Sequence, residues 1–127
     1  MDAGEPSPLR GRRILIVEDE MLIAMEIEDL LRRQGCIVLG PAPDARRAMA
    51  LLDRERPDAV LLDLNLKGEP ATPVAAALSA RGLPFVLVTG YGKARSREPA
   101  LRDAPRVDKP VDPQALVRAL AQVLDAA

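Results

Sequence analysis

The chain has 127 residues, enough for one hydrophobic core but not two, and its 18 basic and 19 acidic side chains leave no broad field of either sign to attract nucleic acid. Histidine is absent, which excludes Ser/His and Cys/His catalysis, imidazole metal ligands and a phosphohistidine carrier, and the single cysteine, Cys36, excludes an internal disulfide or a thiolate cluster. Apolar residues make up 48%, yet only Phe85 and Tyr91 are aromatic, so the core must be aliphatic.

Residues 1–11, MDAGEPSPLRG, carry two prolines and two glycines and little hydrophobicity, and read as a flexible leader ahead of a domain over 12–127. They lack the apolar segment of a signal peptide, and no run approaches the roughly 20 apolar residues of a membrane span, so a cytoplasmic protein with no membrane partner is expected. From Arg12 onward, short apolar runs alternate with segments of helical periodicity. ILIV (14–17) is the first strand, and it runs into Glu18, Asp19 and Glu20. Ile23, Ile27, Leu30 and Leu31 then form a helical stripe, with Glu28/Arg32 and Asp29/Arg33 as i, i+4 pairs and Gly35 as terminator. CIVL (36–39) is the second strand, and Asp44 caps a helix through Met49, Leu51 and Leu52.

AVLLDL (59–64) is the third strand, followed by the alanine-rich helix VAAALSAR, stopped by Gly82. PFVLV (84–88) is the fourth. Residues 93–105 contain two prolines and one large aliphatic side chain, which predicts a short or irregular fourth helix. A weak fifth strand lies around Val107. The last helix is capped by Asp112, with Pro113 in its first position and Leu116, Val117, Leu120, Val123 and Leu124 on its apolar face. Continuous rather than alternating hydrophobicity marks strands buried on both faces, so the order predicts an α/β fold: a five-stranded parallel sheet of (βα)5 type, helices on both faces, and a ligand crevice at the carboxyl ends of the strands.

Parallel strands gather their carboxyl ends on one edge. Glu18 and Asp19, Asp63, Thr89 and Lys109, followed by Pro110, therefore converge there. Carboxylates a few ångströms apart repel by several kcal/mol, about 4 at 4 Å and an intermediate dielectric, unless a cation lies among them. Oxygen donors suit a hard ion such as Mg²⁺, a lysine and a hydroxyl suit phosphoryl oxygens, and an aspartate between them can act as a nucleophile. Taken singly, Asp19 also suits a helix cap, Thr89 a turn and Lys109 the surface. Asp63, set inside a buried apolar run, needs compensation for its desolvation. Glu20 is accounted for by its place at the start of a helix.

In that order and on those elements, VEDE after the first strand, Asp63, Thr89 and the Lys109-Pro110 pair resemble the receiver domain of two-component response regulators, a flavodoxin-like fold. The resemblance spans residues 12–126 and leaves no room for an effector domain. It implies that Asp63 is the phosphoacceptor, that Asp19, Asp63 and the backbone carbonyl of Asn65 bind Mg²⁺ directly, and that Glu18 acts on the metal through water. Thr89 would hydrogen-bond the phosphoryl group and Lys109 would pair with it. The donor would be a sensor histidine kinase or a histidine phosphotransfer protein, and the listener an unidentified protein rather than nucleic acid, since no helix-turn-helix segment follows Leu124. Such a domain promotes its own phosphorylation and dephosphorylation and is otherwise no enzyme.

Three departures stand out. Arg106 occupies the position of the family's aromatic switch residue, NLKGE replaces the usual loop after the acceptor, and Leu87-Val88-Thr89-Gly90-Tyr91 matches in part the Phe-Ala-Thr-Gly and tyrosine signature of an alphaproteobacterial stand-alone subgroup. Arg106 and Tyr91, in a loop between Gly90 and Gly92, are thus the switch candidates. Other readings remain: a phosphate sink, a constitutive docking module, and an aspartate-nucleophile phosphohydrolase, which would need a second aspartate where Asn65 stands.

Overall fold

A computed structural model describes residues 7–66, 68–90, 101 and 104–126. Within them the chain alternates as expected: β1 (Arg13–Val17), α1 (Met21–Arg33), β2 (Ile37–Ala42), α2 (Ala45–Arg54), β3 (Ala59–Asp63), α3 (Thr72–Ala80), β6 (Phe85–Gly90), β7 (Arg106–Lys109) and α4 (Pro113–Ala126), with a small β4–β5 hairpin (Asn65–Leu66 and Glu69–Pro70) between β3 and α3. The five longer strands form one parallel sheet in the order β2-β1-β3-β6-β7. Strand order reverses beside β1, which leaves the crevice between the carboxyl ends of β1 and β3.

Strand alternation divides the core in two. Ile14, Ile16, Leu61, Val86, Val88 and Val107 pack under α1 and α4, against Ile27, Leu31, Leu116 and Leu120. Leu15, Val17, Val60, Leu62 and Leu87 pack under α2 and α3, against Leu52, Val74 and Leu78. The helix ends follow their local chemistry. Asp44 accepts from the Arg47 N–H at 2.8 Å and Asp112 from the Ala115 N–H at 2.9 Å. Glu28–Arg32 and Asp29–Arg33 are ion pairs at 2.8 and 2.9 Å.

Four expectations need correction. The leader is not loose up to residue 11: from Ser7 the chain forms a turn, the Arg10 N–H bonding to Ser7 O and the Gly11 N–H to Gly35 O. Leu9 is wholly buried in the core beneath α1, where its carbonyl accepts from the Cys36 thiol at 3.5 Å. The composition of the segment concealed a single apolar anchor. β2 is longer than CIVL and is an edge strand, with Ile37 exposed, because only β1 pairs with it. α3 starts at Thr72, ahead of Val74, since Pro73 fits a first turn. The β4–β5 hairpin was not anticipated; it pairs Asn65 with Pro70 and Leu66 with Glu69, and Gly68 takes φ +82° in its turn. The expected irregular fourth helix, and Tyr91 with it, lie largely outside the described residues.

The burial of Leu9 is testable. Leu9→Ala should lower unfolding free energy by about 2–4 kcal/mol, seen as a lower urea midpoint with unchanged slope. A leader without packing would give a change within about 0.5 kcal/mol.

Candidate functional site

Strand register assembles the site. Val17 pairs with Leu62, so Glu18, one residue on, is level with Asp63. Continuing the alternation along β1, β3 and β7, Glu18, Asp63 and Lys109 all belong to the sheet face covered by α1 and α4. Glu18 is 3% and Asp63 4% exposed, a depth at which a carboxylate is costly unless partnered. Glu18, Asp19 and Asp63 each bring an oxygen within 4.8 Å of the others. Lys109 Nζ stands 3.2 Å from Glu18 Oε1 and 3.5 Å from Asp63 Oδ2. The group opens into a cavity of about 580 Å³ whose lining includes Asp19, Asp63, Asn65, Gly90 and Lys109.

One ammonium does not balance this many carboxylates. Burial, followed by the hydrogen bond and the charge of Glu18, pushes the Asp63 carboxyl up to about 8, while the Asn65 N–H (3.3 Å to Oδ1) and Lys109 pull the other way. Burial also disfavours the Lys109 ammonium, but Asp63 and Glu18 more than offset this and raise its pKa. Lys109 donates to Glu18 Oε2 at 3.4 Å, leaving Glu18 Oε1 buried without a hydrogen bond despite the nearby charge. Surplus negative charge, an oxygen with a lone pair to spare and an all-oxygen donor set fit a hard divalent cation.

The remaining expected residues are placed less uniformly. The Asn65 side of the hairpin borders the cavity, and its N–H reaches Asp63. Thr89 does not line the cavity: it shares the α2/α3 face with Leu87, and its hydroxyl donates to Asp108 Oδ1 at 3.1 Å. Arg106 pairs with Leu87 on that same face.

Two residues escaped the sequence reading. Glu20 is more than a helix-start charge: it forms no side-chain cap, its N–H donates to Glu18 Oε2 at 3.1 Å, and its Oε1 sits 3.2 Å from Lys109 Nζ. The third acid of the EDE run was the available signal. Asp108 adjoins Lys109 in sequence, but only the Thr89–Asp108 register reveals it.

With this geometry the fold and site define an acidic pocket at the carboxyl edge of a doubly wound parallel sheet. The family model for the response regulator receiver domain matches residues 14–121, and the chain belongs to that family. It is 33% identical over 94 residues to the transcriptional regulatory protein PdtaR of Mycobacterium tuberculosis, covering 73% of this chain and 45% of that protein. The chain thus spans about half the length of that curated relative. Among solved structures, SdrG from Sphingomonas melonis Fr1 is 43% identical, with TM-score 0.77 and coverage of 93% of this chain and 98% of that one. The response regulator PhyR from Brucella abortus is 29% identical, with TM-score 0.78 and coverage of 94% and 51%. Among the described residues no helix is long and apolar enough to cross a membrane.

The raised Asp63 pKa gives a signed pH dependence. Between pH ~4, where the unfolded carboxyl ionises, and pH ~8, the folded form holds a proton that the unfolded form has released, so stability falls as pH rises. In chelator, the wild type should therefore lose melting temperature from pH 5 to 8.5 more steeply than Asp63→Asn, which should melt several degrees higher at pH 8.5. Mg²⁺ should raise the wild-type value at that pH and leave the variant nearly unmoved. Parallel melting curves across that range would contradict the assignment of charge strain to Asp63.

Proposed function

We propose that this receiver domain accepts a phosphoryl group on a carboxylate oxygen of Asp63, supplied by a phosphohistidine on a sensor histidine kinase or histidine phosphotransfer protein, and signals by changing the surface it offers another protein. The observation that carries the reading is the burial of Asp63 at the end of β3 beside two further carboxylates and one ammonium. Asp63 attacks phosphorus, the bond from phosphorus to the imidazole nitrogen breaks, and the nitrogen keeps the electron pair and takes a proton. Lys109 then holds a phosphoryl oxygen, exchanging part of its contact with Asp63 for one with the new group.

Mg²⁺, when bound, supplies positive charge between the carboxylates and the phosphoryl oxygens. In this reading Asp19, Asp63 and the Asn65 carbonyl would hold it, and Glu18 would act on it through water. Thr89 donates to the phosphoryl group once its hydroxyl is available. Asn65, standing where a phosphohydrolase would carry its acid-base aspartate, supports a stoichiometric acceptor rather than a turnover enzyme. Membership of the receiver family supports the phosphoacceptor reading.

Incubation with Mg²⁺ and acetyl phosphate, read by intact mass, should give one phosphoryl adduct in the wild type and none in Asp63→Asn. Lys109→Gln should lower the adduct yield by roughly tenfold or more, since one charge-assisted contact of about 1.5–3 kcal/mol is removed. An adduct that survives in Asp63→Asn, or continuous phosphate release without an adduct, rejects the proposal.

A further inference from the structure

The Thr89 hydroxyl is committed to a partner on the wrong side of the sheet for phosphoryl contact. Thr89 is 2% exposed, and its Oγ1 donates to Asp108 Oδ1 at 3.1 Å, across the pair that the β6–β7 register brings level. A buried hydroxyl seldom leaves a charged acceptor without a replacement, because a hydrogen bond to a carboxylate is among the stronger neutral-to-charged contacts. Asp108 itself is exposed, so packing does not require a carboxylate at this position.

We infer that Asp108 is a positioning residue: its carboxylate holds the Thr89 hydroxyl away from Asp63 in the unphosphorylated domain and competes with the phosphoryl group for that one proton donor. The inference rests on the phosphoacceptor reading. Phosphorylation supplies a second anionic acceptor, and the Thr89 O–H moves to it from Asp108; no bond other than this hydrogen bond is exchanged. Arg106 lies two residues before Asp108 on the same face, and its Nη2 is buried without a hydrogen-bond partner among the described residues. The carboxylate released by Thr89 therefore has a cation within the reach of one side chain. A polar pair on β7 takes the place that an aromatic side chain would fill.

The test is a double-mutant cycle between Asp108 and Thr89, read as the apparent affinity for beryllofluoride with Mg²⁺ and as the acyl-phosphate yield from acetyl phosphate. Asp108→Ala should tighten beryllofluoride binding by about 5- to 10-fold, the worth of one released hydrogen bond, and shift the Thr89 methyl resonance in the free protein. Asp108→Asn, which keeps an acceptor oxygen but loses the charge, should fall between the two. In a Thr89→Val background Asp108→Ala should change nothing. An equal gain with and without the Thr89 hydroxyl would mean that only negative charge had been removed, and would overturn the inference; so would no gain at all. If the wild type neither binds beryllofluoride nor forms an adduct, the phosphoacceptor reading fails first and this inference with it. Melting temperatures of the variants check that each remains folded.

Discussion

Buried charge is the constraint around which the rest of this molecule is arranged. Glu18 and Asp63 lie within a few per cent of complete burial at the end of an aliphatic sheet, with Asp19 beside them and Lys109 in ion-pair range of both. Such an arrangement persists only if the surrounding fold over-determines it, since the carboxylates gain nothing from each other. The two cores on either side of the sheet provide that surplus, and the strain shows in the upward push that burial and Glu18 exert on the Asp63 carboxyl. The same imbalance that costs stability leaves an all-oxygen donor set suited to a hard cation.

The period-two alternation of the strands sorts the functional side chains onto two faces. Glu18, Asp63 and Lys109 belong with the face covered by α1 and α4, where the acidic pocket opens; Thr89, Arg106 and Asp108 belong with the α2/α3 face. The acidic cluster and the Thr89–Asp108 pair are thus separated by the thickness of one sheet, and in the proposed mechanism Thr89, at the end of β6, is the residue that serves either side. Its hydroxyl is bonded to Asp108, on the side away from the acidic cluster.

Glu20 adds a further element to the balance. It immediately precedes α1, largely exposed, and shares Lys109 with Glu18 and Asp63. Lys109 is therefore held by three acids, and only the least buried of them can be given up without stranding a charge in the interior. Of the three contacts of Lys109, the one with Glu20 therefore costs least to break.

Much was determined by the sequence by itself. The apolar runs at 14–17, 59–62 and 85–88 required strands buried on both faces, the stripes of the first and last helices were local, and parallel strands force residues at their carboxyl ends onto one edge. Those facts lead to Glu18, Asp19, Asp63 and Lys109, because each depends only on where a strand stops. Tertiary structure decided the rest. Leu9 is one apolar residue in a Pro- and Gly-containing segment, and its anchoring depends on a slot beneath α1 that no local pattern describes. Glu20 looked explained by its helix, yet its reach to Lys109 depends on how α1 leaves β1. Asp108 became visible only through the register of β6 against β7, which is fixed by long-range pairing and not by the residues around it. Strand ends are written locally, whereas which side chains then face one another is settled by packing.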